Sequence, residues 1–499
     1  MSRNRTLGAM LALTVPVALA SAPGSALAAQ EPIEEIVVTG SFIRGTPQDA
    51  ALPVDIIGQQ DLVDQGSPTI TEMIRNLNIS NGNIGETNQF NASGGQANEG
   101  AATVNLRGLG SERTLVLING RRHVASSSIG VDISAIPSIA IGRLEVLKDG
   151  AAALYGSDAI AGVANFITRD DFQGLELRAS GQTFEETDGE YQLGAIGGWG
   201  NDRLSGMVAL EYERRSEVRL RDIDWATRPY ESNVQGGWSA IGNPGTLFPV
   251  GVLPSGDTGI IGQVPDPVCD ELGNQTVGGF CQFQFTNFDN LVEEQDTYKS
   301  FAEVNYALTD TVNLHVEGMY SFVDVPEWAT SPSYPPQALF GPDRITPVTH
   351  PGIADFINKY PDALPAGTQA VFPFTRHAGA LGFQGEPRRG FRETDTYRLA
   401  GALDGTLFDG ELGFDIALSW SRRDRTLSTP DMAVERMAFA LDGLGGPDCD
   451  RSDPANLTPG QNGCLYHTPT SNGVDVSAVN GAVNPDADPD LVAQHLALQ

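Results

Sequence analysis

Hydrophobic and polar positions divide the chain into stretches of different period. Residues 7–20 carry no charge, follow Arg3 and Arg5, and lead to the small-x-small run Ala26, Leu27, Ala28. That is the pattern of a secretory signal peptide over 1–28, and its apolar stretch is shorter than the ~20 residues a spanning helix needs. Residues 29–50 are mainly polar and contain one short apolar run, Ile36, Val37 and Val38. Between 51 and 169 the periods mix. Strand-like runs at 54–57, 104–106, 114–118, 143–147 and 163–168 are interspersed with helix-like segments at 59–65 and 69–77. In the second helix Met73, Ile74 and Leu77 share a face. Short helical turns are expected at 132–136 and 151–154, and the Gly/Asn/Gln-rich stretch 81–100 reads as a loop. These signals predict a compact α+β domain.

From 170 onward the period becomes two. Alternation marks seven strands, at 175–180, 191–199, 204–214, 298–308, 312–322, 397–407 and 412–423, separated by long polar loops at 225–296, 325–393 and 427–499. Most are about ten residues long, the length of a tilted membrane-spanning strand rather than the ~5 to 6 of a soluble sandwich. Trp199, Tyr298, Tyr306, Tyr320, Tyr397 and Trp420 stand near strand ends, where an interfacial aromatic girdle would lie.

Composition narrows the class. The 499 residues include 63 acidic against 31 basic ones, a net charge of −32, so nucleic acid is excluded as a partner. A hydrophobic fraction of 40 % excludes a wholly disordered acidic chain. Cys269 with Cys281 and Cys449 with Cys464 form two close pairs in Gly/Pro/Asp-rich stretches. Disulfides within each pair, Cys269–Cys281 and Cys449–Cys464, fit an exported chain; zinc is the rival, but CxxC is absent and only His467 lies near a pair. The six histidines are dispersed and no catalytic constellation is present, so neither an enzyme nor a cofactor or metal site is expected. Acidic runs at Asp448, Asp450, Asp453 and at Asp486, Asp488, Asp490 read as solvated loop charge.

Two segments carry a family resemblance. Residues 105–122, NLRGLGSERTLVLINGRR, and 143–168, RLEVLKDGAAALYGSDAIAGVANFIT, closely resemble the conserved stretches of TonB-dependent receptor plug domains. Upstream, Glu34, Glu35, Ile36, Val37, Val38, Thr39 and Gly40 are similar to a TonB box. A β-branched run in a polar leader has no core of its own and suits addition to an exposed sheet edge. Gly108 and Gly110 suit a sharp turn, and Arg107 and Arg113 present charged forks. The resemblance implies that Arg107 locks against a barrel carboxylate. Lys148 stands where many relatives carry arginine, which weakens a second lock there. Glu145 belongs to the same motif, and Tyr155, Gly156, Gly162 and Asn165 read as packing and turn residues.

The implied fold is an α+β plug domain, 51–169, behind a TonB-box leader, 29–50, and followed from 170 to 499 by antiparallel transmembrane β-barrel strands with long extracellular loops. Such barrels are implied to have about 22 strands. Only seven are found, so the barrel is expected to be incomplete. The implied function is TonB-dependent import of a scarce ligand across the bacterial outer membrane, foremost an iron-siderophore complex, with cobalamin or a carbohydrate as competing cargo. A truncated remnant whose plug folds but whose barrel cannot close is the alternative. The implied partners are the TonB energy-transducing complex, outer-membrane lipid and the small-molecule ligand.

Overall fold

The computed structural model describes residues 54–470 apart from 67–68, 84–100, 124, 127–129, 149–150, 184–187, 235–236, 241–244, 272–273, 331–344, 375–387, 409–410, 429–433, 455–456 and 468. The signal peptide, the leader and the proposed TonB box (Glu34, Glu35, Ile36, Val37, Val38, Thr39) lie outside the described residues, as does the acidic run at 486–490.

In the N-terminal domain, β1 (Val54–Gly58) runs into α1 (Gln59–Asp64), and α2 (Ile70–Arg75) follows. Thr69 accepts from the Glu72 backbone N–H, and the Glu72 carboxylate accepts from the Thr69 N–H at 2.9 Å. This reciprocal cap fixes where α2 begins. Its buried face is Ile70, Met73 and Ile74. β2 (Thr114–Ile118) turns through Asn119 and Gly120, at φ 49° and 74°, into β3 (Arg121–Arg122). Two successive positive φ values are what a tight hairpin turn requires, and Asn-Gly tolerates them. β4 (Ile141–Leu147), α3 (Ala151–Tyr155) and β5 (Gly162–Thr168) complete a sheet ordered β1-β4-β5-β2-β3. All pairings are antiparallel except β2 with β5. Both of those strands are buried at every position, which explains why their sequences are mainly apolar rather than alternating, with Asn165 the polar residue inside β5. In the 104–106 run Val104 and Leu106 are buried, and among the described residues it forms one bridge, Leu106 with Ser80. The 132–136 segment is a turn, and a 3-10 helix stands just after it at Ser138–Ala140.

The alternating strands form one antiparallel meander: β6 (Gly174–Gln182), β7 (Glu190–Gly200), β8 (Leu204–Arg215), β9 (Gln295–Thr309), β10 (Val312–Thr330), β11 (Arg388–Leu407) and β12 (Leu412–Leu427). Each strand pairs with its sequence neighbour, and among the described residues β6 and β12 each keep one edge without a partner. The faces are inverted relative to a soluble protein. Leu177, Leu399, Ile416 and Leu418 are 59–80 % exposed, whereas Glu211, Lys299, Glu303, Glu317 and Arg398 are at most 5 % exposed. An apolar outside with charge facing inward is the arrangement lipid imposes. All six girdle aromatics are exposed on this sheet. Ring centroids of Tyr212 and Tyr298 lie 5.0 Å apart and those of Tyr320 and Tyr397 5.1 Å apart, forming a row across neighbouring strands.

The loops on the long-connection side are structured. Strand Thr246–Val252 pairs with Thr258–Ile260, Val264–Pro265 and Ala370–Phe374, so the first and second long loops share a sheet. The ring of His350, N-cap of the helix Pro351–Lys359, meets Tyr466 edge-on at 5.1 Å and joins the third loop to them. Cys269 is bonded to Cys281 and Cys449 to Cys464.

Candidate functional site

The N-terminal domain sits against the inner face of the large sheet. Ile196, Met207, Ala209, Phe301 and Met319 of the sheet share one apolar cluster with Ile133, Ile139 and Leu144 of the domain. Around that cluster lie polar contacts, and their logic follows from the secondary structure. The turn at Ser138–Ala140 aims free backbone donors at β8. Glu211 accepts from the Ser138 N–H at 3.1 Å, the Ile139 N–H at 3.0 Å and the Ser138 hydroxyl at 2.8 Å. Lys299 of β9 pairs with the same carboxylate at 3.2 Å and with Glu213 at 2.8 Å.

A second group surrounds the β2–β3 turn. Asn119 Nδ2 donates to Glu317 Oε2 at 2.6 Å, and the Thr168 hydroxyl donates to Glu303 Oε2 at 2.7 Å. The Asn119 side chain also closes on Thr168, accepting from its N–H at 3.0 Å. Arg398 of β11 pairs with Glu317 and donates to the Ile118 carbonyl at 3.4 Å. Farther along, Arg121 donates to both oxygens of Asp415 at 2.7 Å, and Arg423 pairs with Asp132 at 2.8 Å. His123 lies among these charges, buried, with neither ring nitrogen hydrogen-bonded among the described residues. Burial foremost, then the Arg398 guanidinium, hold its imidazole down to about 3, with Asp132 pulling the other way.

A polar cavity of about 390 Å³ opens where α2 faces the loop-side ends of β6 to β9. Thr69, Glu72, Asn76, Gln192, Arg215 and Gln295 contribute to its wall.

The residues marked by sequence motif are mostly elsewhere. Among the described residues Arg107 bonds within its own domain. It sits at φ 59° and folds back to donate to the Ile160 and Ala161 carbonyls, at 2.7 and 3.2 Å, so its charge clamps the domain's own chain. Arg113 stays exposed and bonds Glu112 and the Leu109 carbonyl. Lys148 pairs with Asp55 across β1 and β4. Glu145, fully buried, accepts from Arg143 at 2.9 Å. Gly108 and Gly110 occupy positive φ, at 67° and 107°, around the turn that leads into β2. Gly156 takes φ 85° after α3, and the Tyr155 carbonyl beside it accepts from Arg122. Gly162 is dictated by space as well as by φ 130°, because a Cβ there would lie 2.6 Å from the Leu147 carbonyl oxygen. Asn165 accepts from the Gly120 N–H at 3.0 Å and so holds the hairpin to β5.

The family model of the TonB-dependent receptor plug domain matches residues 46–163. The chain carries a TonB-dependent receptor plug domain. Its N-terminal domain is the plug, and the meander is antiparallel barrel wall, of which the described strands do not close a barrel. The chain is 31 % identical over 224 residues to the vitamin B12 transporter BtuB of Photobacterium profundum, a match over 42 % of this chain and 34 % of that one. It is 31 % identical over 180 residues to the iron-regulated outer membrane virulence protein of Vibrio cholerae serotype O1, over 35 % of this chain and 26 % of that one. The chain thus matches about a third or less of these curated relatives' length. Among solved structures, the ferric enterobactin receptor of Pseudomonas aeruginosa is similar with a TM-score of 0.40 and 14 % identity, over 81 % of this chain and 44 % of that one. Receptors of this family reside in the bacterial outer membrane, which agrees with the apolar outer face of the strands.

On the plug side Asn119, Arg121 and Thr168 lie within the motif segments although none was singled out there, and for the wall side one signal was available. Glu211, Lys299, Glu303, Glu317 and Arg398 sit inside alternating strands whose other face is apolar. A charge at such a position is expelled from lipid and must face the lumen.

Proposed function

We propose that this chain serves TonB-dependent active import of an iron-siderophore complex across the outer membrane. Behind a signal peptide at 1–28 and within a leader at 29–50, residues 34–40 add as a strand to TonB. Traction there acts on the plug, 51–169, lodged against the strands of 170–499. The observation that carries the reading is the mixed plug–wall interface. Glu211, Glu303 and Glu317 hold plug donors through hydrogen bonds that water replaces once the plug shifts. An obligate interface is more apolar than this, so the contact suits a domain that is seated firmly and also displaced. The polar cavity beside α2 offers cargo a place to meet the plug, and its volume is in the range of small-molecule sites.

The relative named as a vitamin B12 transporter supports cobalamin as a second cargo. Two measurements test the proposal. A Val37→Cys variant is expected to form a disulfide-trapped adduct with cysteine-substituted TonB, and no adduct overturns the TonB box. Titration of the detergent-solubilised full chain with a ferric siderophore and with cyanocobalamin is expected to give saturable binding of the ferric complex. Saturation by cobalamin alone replaces the iron reading.

A further inference from the structure

We propose that Glu303 of β9 with His315 and Glu317 of β10 forms a binding site for a divalent first-row transition ion, set in the lumenal wall directly under the plug. One donor atom from each side chain lies within 4.8 Å of the other two. The register explains the clustering: Glu303 stands opposite Glu317, and Asn305 opposite His315, on paired strands with the same face inward. Two carboxylates directly across a ladder repel unless a cation lies between them. Arg398 answers Glu317 through Oε1, and no cationic side chain among the described residues is paired with Glu303.

Hydrogen bonding sharpens the case. His315 Nδ1 lies 2.6 Å from Asn305 Oδ1. An amide oxygen only accepts, so Nδ1 carries the hydrogen, and Nε2 faces Glu317 Oε2 at 3.2 Å, donating to it when the ring is protonated and free to offer its lone pair to an ion when it is not. Metal-bound histidines are oriented in this way, with the second ring nitrogen donating to an oxygen. Glu303 is 1 % exposed, and its Oε1 has no hydrogen-bond partner among the described residues. A buried carboxylate oxygen left without a partner is costly. A proton on Nε2 places a charge near both carboxylates but hydrogen-bonds only Glu317, so Glu303 Oε1 still has no hydrogen-bond partner among the described residues. A divalent ion among the three answers both carboxylates, and one imidazole with two carboxylates is a donor set that suits Zn²⁺, Mn²⁺ or Fe²⁺.

The site is coupled to the plug because its ligands are shared. Glu303 Oε2 accepts from Thr168 and Glu317 Oε2 from Asn119. An ion that orders the two carboxylates therefore alters how firmly the plug is seated, and plug displacement alters ion affinity to the same extent. The inference stands independently of the cargo and of TonB.

The test uses the full chain in detergent, stripped with a chelator and titrated with Co²⁺ as a visible probe and Zn²⁺ as competitor. One equivalent per chain is expected, and His315→Ala and Glu303→Gln are each expected to weaken it by at least about tenfold. His350→Ala, which removes a histidine of the long loops, should leave the affinity unchanged. Absence of stoichiometric binding, or binding that His315→Ala and Glu303→Gln leave intact, overturns the proposal. If a variant fails to fold, X-ray absorption of the zinc-loaded unaltered chain decides. One imidazole among oxygen neighbours is expected, and an all-oxygen or multi-imidazole shell overturns the site.

Discussion

At the scale of single residues, His123 shows how burial changes what a side chain does. It lies just past β3, in plug interior that faces Arg398 and Arg423 of the wall and its own Asp132, with Glu317 also within electrostatic reach. Burial and the two guanidinium groups favour the neutral ring, holding it at about 3 against an ordinary 6.5. The unfolded chain therefore binds a proton that the folded one refuses. The resulting stability is complete above the unfolded value and is lost as pH falls from 6.5 toward about 3. The slope is at most ~1.4 kcal/mol per pH unit. His123→Leu removes the titrating group, so urea midpoints of the full chain, read through amide exchange in β2, should fall less between neutral pH and about pH 4.5 than those of the unaltered chain. Equal acid sensitivity in both would assign the effect to the surrounding carboxylates.

At the scale of elements, the docking of the Ser138–Ala140 turn onto β8 is the most concentrated contact between the two parts. Three donors converge on Glu211, itself 4 % exposed. Glu211→Ala leaves those donors without an acceptor while Lys299 keeps Glu213. A loss of about 3 kcal/mol or more is expected in plug seating, measured as earlier urea release of the plug amides. Ser138→Ala, which removes the hydroxyl's bonds to Glu211 and Gln192 but keeps both backbone donors, should cost about 1 kcal/mol. Equal losses would place the energy in the hydroxyl rather than the backbone donors. None of this docking was legible in the sequence, because it depends on which residues some seventy positions apart come together. What was legible follows a local period. All seven wall strands announce themselves by alternation, as does the apolar pair β2 and β5 by continuity. Strands β10 and β11 nevertheless run to Thr330 and start from Arg388, well past the alternating stretches. Beyond the lipid band the outer face turns polar, so backbone pairing continues while the hydrophobic signal for it stops. Arg107 marks the same limit from the other side. Its motif identified an arginine with a task, but the positive φ and the bonds to the carbonyls of Ile160 and Ala161 could not be read from it.

At the scale of the whole molecule, the wall is not uniformly supported. Strands β8, β9 and β10 pair on both sides and carry the buried charges and apolar residues that meet the plug. β6 and β12 each have one edge without a partner among the described residues, and β12 is exposed along most of its length. Its ties to the plug are the ion pairs Arg121–Asp415 and Arg423–Asp132. A backbone group that lipid cannot satisfy is costly, so an unpaired edge opens more readily than a strand held from both sides. Hydrogen exchange of the full chain in detergent should therefore be slowest in β8 to β10 and at least about tenfold faster in β6 and β12. Raising the salt concentration should widen the gap for β12, whose ties are the more exposed ion pairs, and leave β8 unchanged. Uniform slow exchange across all seven strands would contradict this gradient. Combined with a doubled particle mass, it would mean that β6 of one copy pairs with β12 of another, satisfying both edges at once.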